Sequence, residues 1–154
     1  MSQRLNIGLR GHIKLDMLYS KTNCEDSFSS RILIFFFHFA FFLKNYKSSI
    51  GKKDTQQLYD FIFKQIELSI REIGYGDASI NKKMKNYINI FNSIIEKVDK
   101  WGEYKDKDKS NNLSLFLGNE LDTIYFINYF DKYSVFLLNN TLNCFTKDVL
   151  SFKF

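Results

Sequence analysis

The sequence has no proline, two cysteines and two histidines in 154 residues. With no proline to break a helix, its ends must be set by Gly, Asn, Asp and Ser. Cys24 and Cys144 stand far apart, with no CxxC or Cys/His spacing beside either. They read as two reduced structural thiols, not as a disulfide framework or a thiolate metal centre, which suits a cytosolic setting. With His12 as the only companion of His38, a histidine-built metal site is not expected. The most apolar run, ILIFFFHFAFFL over residues 32–43, falls short of the roughly 20 residues that a spanning helix needs. No transmembrane segment is expected. The opening MSQRLNIGLRGHIK lacks the apolar core of a secretory signal.

Aromatic side chains are plentiful: 17 Phe and 9 Tyr, within a composition that is 45% hydrophobic and 25% charged. That is globular, not disordered, composition, and the length suits one domain over 1–154. The aromatic excess points to apolar surface available for a partner or a membrane. Lys and Arg number 22 against 17 Asp and Glu, a net charge of +5. This modest basic bias suits anionic lipid or RNA without specifying either.

Helical periodicity recurs along the chain while strict alternation is scarce, so the expected fold is all-α: a single compact domain of about five helices. Asp26 or Ser27 can cap a first helix reaching about Tyr46, apolar all round in its middle, as a central helix reads. KSSIGKKD is the expected connector, with Asp54 or Thr55 capping the second helix. There Leu58, Phe61, Ile62, Ile66, Ile70 and Ile73 form the expected apolar stripe. Asp60–Lys64 and Glu67–Arg71 are spaced i,i+4 for ion pairs on the opposite face. Gly74 falls where a left-handed C-terminal cap belongs. A third helix is expected from near Ser79 to about Trp101, with Ile80, Met84, Tyr87, Ile88, Phe91, Ile94, Ile95 and Val98 at strict i+3/i+4 spacing. GEYKDKDKSNN reads as a mobile loop, followed by a short helix from Leu113 and a longer one capped by Asp122.

His38 sits in the apolar run with no serine or carboxylate in its helical neighbourhood, which favours a buried, hydrogen-bonded structural histidine over a catalytic base. No carboxylate motif and no phosphate-cradling loop is present, so no enzyme activity is expected. The stretch REIGYGDASINKKMK over 71–85 is the candidate site. Lys82, Lys83 and Lys85 crowd a helix start, the end where the dipole disfavours cations. They read either as a solvated face or as contacts for a carboxylate, an RNA phosphate or a lipid head group. Glu72 falls on the wheel near Phe61 and Leu68, at the edge of the apolar stripe, where a carboxylate calls for a Lys or Arg partner. Asp77 is placed to cap the third helix.

The same stretch resembles the signature of the ubiquinol–cytochrome c chaperone family. Its pattern, like LREMGVGDL, is matched by Ile70-Arg71-Glu72-Ile73-Gly74-Tyr75-Gly76-Asp77, with Lys82, Lys83 and Met84 following in register. Upstream, Leu58, Tyr59, Asp60, Phe63, Ile66 and Glu67 fit an L-F-D-x-x-F-x-x-M-D helix. Tyr19, Asp26, Phe28, Arg31, His38 and Leu43 fit a tyrosine, a D-T-F-x-x-R and an L-H-x-x-L element. LSLFLGNEL over 113–121 is similar to a leucine-rich segment, with Asn119 retained. The likeness is strongest over 19–121. Tyr75 stands for a small aliphatic residue, Ala78 for a larger one, Asn81 for a frequent proline and Gly118 for a frequent arginine.

The resemblance implies a non-enzymatic chaperone and assembly factor of the cytochrome bc1 complex, without a cofactor, that binds newly made cytochrome b. It further implies contact with the ribosome near its tunnel exit and with a small partner protein. The expected location is the cytoplasmic face of a bacterial, alphaproteobacterial-type inner membrane, or the matrix side of the mitochondrial one. On this reading Arg71, Glu72, Gly74, Gly76, Asp77, Lys82 and Lys83 serve partner binding, while His38, Asp60 and Met84 are structural. The alternatives are a ribosome- or RNA-binding helical module with no cytochrome client, and a small hydrolase built on His38.

Overall fold

In a chain without proline, helices run until a backbone conformation stops them, and three of the stops here are glycines at positive φ: Gly51 (85°), Gly74 (104°) and Gly118 (97°). The structure, a computed structural model, describes residues 28–139. Tyr19, Cys24, Asp26, Ser27, His12 and Cys144 lie outside the described residues. Five helices follow one another: α1 Phe28–Ile50, α2 Lys52–Ile73, α3 Asp77–Asp99, α4 Asp106–Leu117 and α5 Thr123–Asn139, with a 3-10 turn at Trp101–Glu103. No strand occurs among the described residues, and the domain is all-α.

α1 packs against each of the other four helices. Every residue from 36 to 41 is buried. Phe36 meets Phe63 of α2 and Phe91 of α3, at 5.8 and 4.9 Å between ring centroids. One step round the helix, Phe37 and Phe41 meet Phe130 of α5 at 5.5 and 5.2 Å, and Phe41 meets Trp101 edge-on at 5.4 Å. Much of the aromatic excess is therefore consumed by the core. Each such ring contributes roughly 1.5–3 kcal/mol by burial.

Several boundaries differ from those expected. α1 continues past Tyr46 to Ile50, and the connector shrinks to Gly51 alone. The Gly51 N–H still bonds to the Lys47 carbonyl (3.3 Å), so the helix is closed up to its glycine. α2 accordingly starts at Lys52, and neither Asp54 nor Thr55 caps it. The Thr55 hydroxyl, one turn in, donates to the Gly51 carbonyl at 2.7 Å. The buried face of α2 is Phe63, Ile66, Ser69 and Ile70, not the whole predicted stripe. Phe61 lies well over a quarter-turn from Ile66 at 100° per residue and is 61% exposed, and Ile73, in the last turn, is 38% exposed.

The expected loop over 102–112 is mostly helix. Asp106 and Asp108 sit in the first turn of α4, where the dipole favours them, and Leu113 and Leu117 anchor it in the core. A polar clasp completes the anchorage. Asp131 of α5 accepts from the Trp101 indole N–H (2.8 Å) and from Lys109 of α4 (3.0 and 3.2 Å). α5 begins as expected, with the Asp122 carboxylate accepting the Tyr125 backbone N–H at 3.1 Å.

Candidate partner-binding turn between the second and third helices

α2 ends because Gly74 takes the left-handed conformation (φ 104°, ψ 16°), its N–H bonding to the Arg71 carbonyl at 3.0 Å. A side chain there would be strained. Gly76 is different: at φ −76° and ψ 162° it is ordinary extended backbone. Only the first glycine of the GYG element is required by the path of the chain.

Asp77 is the first residue of α3, not its cap, and no side-chain hydrogen bond caps this helix. Its carboxylate instead accepts from Arg71 Nη1 at 2.6 Å, across the turn. Arg71 also donates from Nε and Nη2 to Glu67 Oε1 at 3.1 and 3.0 Å. Lys64 reaches the other Glu67 oxygen at 3.3 Å. The result is an alternating chain, Lys64–Glu67–Arg71–Asp77, that ties the end of α2 to the start of α3. The hydrogen bonds from Arg71 and then Lys64 hold the Glu67 carboxyl below its ordinary value. Those to Asp77 and Glu67 hold the Arg71 guanidinium further above its own. The network lies at the surface, Asp77 being 83% and Arg71 44% exposed in their side chains, so it fixes geometry more than it adds stability.

The remaining predicted residues are not all here. Glu72 is exposed instead of sitting at a buried edge, because its helical position lies far round from Ile66 and Ile70. Asp60 accepts from Gln56 Nε2 at 2.8 Å, while Lys64, its expected partner, goes to Glu67. Lys82 and Lys85 are exposed, but Lys83 is half-buried. Its ammonium lies 4.4 Å from the centroid of the Tyr75 ring, a cation–π contact that packs the turn onto α3. Met84 packs against the core. The turn thus brings together Arg71, Gly74, Gly76, Asp77 and Lys83. Sequence reasoning missed the Arg71–Asp77 and Tyr75–Lys83 contacts. The alternation of sign at 64, 67, 71 and 77 was the available signal for the first.

His38 lies in the interior, between α1 and α5. Nδ1–H donates to the Ile34 carbonyl at 2.7 Å, and Nε2 accepts from the Tyr129 hydroxyl at 2.8 Å. The rings of Tyr129, Phe130 and Tyr133 surround it. Burial pushes its pKa down to about 4, against the smaller upward pull of the Ile34 carbonyl. The same burial drives the Tyr129 and Tyr133 hydroxyls upward. A neutral imidazole with both nitrogens engaged has no lone pair left for a substrate proton or a metal. Among the described residues no group of three His, Cys, Asp or Glu is placed to hold a metal ion.

No similar chain was found among curated proteins or among solved structures. The family model described as Ubiquinol-cytochrome C chaperone matches residues 20–120. That is more than half of the chain, and it takes in α1 to α4 and the whole turn. The chain therefore belongs to the ubiquinol–cytochrome c chaperone family, and its role is that of a chaperone acting on a client protein.

Proposed function

We propose that the protein is a non-enzymatic assembly factor of the cytochrome bc1 complex that holds newly made cytochrome b until it is incorporated. The observation that carries this reading is the family match over 20–120, with the signature turn intact in its glycine stop and its Arg71–Asp77 tie. Within the turn the residues divide by task. Gly74, the Arg71–Asp77 tie and Lys83 hold the shape. Lys82 and Glu72, both at the surface, lie towards the partner, with Tyr75, 43% exposed, beside them. A partly apolar, charged rim suits a client that is itself a membrane protein emerging near the ribosome.

The site of action is the inner membrane, at its cytoplasmic or matrix face. No helix among the described residues is long and apolar enough to cross a membrane, and the net charge of +5 favours peripheral contact with anionic lipid. The test is affinity purification of the full chain after pulse-labelling of new membrane proteins. Labelled cytochrome b should co-purify, and Lys82→Glu should reduce its yield while leaving the circular dichroism melt unchanged. Purification of ribosomal RNA without cytochrome b would transfer the protein to the RNA-binding reading.

A further inference from the structure

The two sides of α3 differ sharply in chemistry. Opposite the buried Ile80, Phe91 and Ile94, at 100° per residue, Lys82, Lys85 and Asn89 stand in an exposed row, flanked by exposed Asn81, Asn86 and Asn92. From Ala78 to Ile95 the sequence has no Asp or Glu. Among the described residues neither Lys82 nor Lys85 takes part in an ion pair. Other exposed charges cancel close by. Lys64, Glu67, Arg71 and Asp77 pair with one another at the turn, and Lys107 of α4 lies between Asp106 and Asp108. None of the large hydrophobic side chains exposed among the described residues lies on α3. Tyr75, 43% exposed, stands at the turn end of the row, with the Lys83 ammonium 4.4 Å from its ring centroid.

We infer that this outer face of α3 binds the phosphodiester backbone of single-stranded RNA without reading its sequence. From Asn81 to Asn92 the row runs about 16 Å at 1.5 Å per residue, and its charge is of one sign. That complements a polyanion. The asparagine amides both donate and accept, which suits phosphate oxygens and the 2′-hydroxyls of the sugar. The exposed Tyr75 ring supplies a platform for an unstacked base, which a duplex does not offer. An anionic bilayer is the poorer match. A helix lying in a membrane interface sinks an apolar face into it, and α3 exposes no large apolar side chain. Lys82 also borders the client-facing turn, whereas Lys85 and Asn89 lie one and two turns further along α3, so the two surfaces are separable. The inference goes beyond the cytochrome reading and does not rest on it.

Fluorescence anisotropy of a labelled oligouridylate, titrated with the purified full chain at about 50 and about 200 mM salt, tests this. Two neutralised phosphates on a single strand give a salt slope near −1.4, so affinity should fall about seven-fold over that range. Lys85→Glu should weaken binding about eight-fold or more at the lower salt and flatten the slope, while Asn89→Lys should tighten it about eight-fold and steepen the slope by about 0.7. Both positions are exposed, so the circular dichroism melts should not change. Tyr75→Leu should weaken binding about five-fold or more with the slope unaltered, as loss of a stacking platform requires. No binding at the lower salt overturns the inference. So does binding that Lys85→Glu and Asn89→Lys both leave unchanged, which would place the RNA on another surface. Co-sedimentation with phosphatidylglycerol vesicles, without affinity for the oligouridylate, would assign the face to anionic lipid and would also overturn it. Cytochrome b is absent from the assay, so none of these results bears on the client.

Discussion

Acid should destabilise this protein before its carboxylates titrate, and His38 is the reason. The imidazole is 1% exposed and its pKa is lowered from 6.5 to about 4 by burial. In the unfolded chain it titrates near 6.5. Between these values the unfolded state binds a proton that the folded state refuses, so stability falls as pH falls. The contribution is fully present above about pH 6.5, is lost progressively below it, and is exhausted near pH 4. At 1.36 kcal/mol per pH unit the full loss is roughly 3 kcal/mol, and roughly 2 kcal/mol of it has gone by pH 5. Against a typical total of about 5–15 kcal/mol this is readily measured by urea unfolding at pH 7.5, 6 and 5. His38→Phe supplies the control. It leaves the Tyr129 hydroxyl without its acceptor, at a cost of about 1–3 kcal/mol, but it removes the titrating group, so its stability should be nearly flat from pH 7.5 to 5. His12 is present in both proteins and cancels. A wild type with no slope in that window, or a variant with the same slope, would refute the buried neutral imidazole.

The two glycines of the turn should separate cleanly in thermal melts. Gly74→Val should cost about 1–2 kcal/mol because Gly74 is left-handed, whereas Gly76→Val should cost less than about 1 kcal/mol; equal losses would contradict the backbone assignment. Asp77→Asn should lower the melting temperature slightly at low salt, and the difference should vanish in high salt, where an exposed Arg71–Asp77 tie is screened. Asn caps a helix start about as well as Asp, so a purely capping Asp77 would show no loss at either salt concentration. Asp131→Ala should destabilise by about 1–3 kcal/mol, since it strands both the Trp101 N–H and Lys109, whose side chain is only 12% exposed; an unchanged melt would mean that the clasp contributes nothing.

The fold class and most helices were legible from spacing alone, because α2 and α3 carry one-sided stripes and α5 carries its cap at Asp122. What was not legible depended on tertiary contacts. α4 has a weakly amphipathic, charge-rich sequence, and what holds it is distant: Leu113 and Leu117 in the core and Lys109 on Asp131. Phe61 keeps i+3 spacing from Leu58, yet its wheel position puts it outside the buried face, whereas Phe63, two residues on, packs on Phe36 and Phe91. At the turn, Gly74 was readable as a left-handed stop. Asp77 was not readable as an Arg71 partner, because a short acceptor before a helix has the same sequence appearance whether it caps the helix or reaches back across the turn.

If the proposed role in assembling the cytochrome bc1 complex is right, a strain lacking this chain should be short of that complex. Reduced-minus-oxidised haem spectra of membranes from a strain lacking the gene test it most directly, with transcripts of the complex measured alongside. The b-type and c1 signals should fall while transcripts stay unchanged, and the wild-type chain should restore them. Membranes of the deletion strain with normal b and c1 signals and normal bc1 activity would contradict the claim.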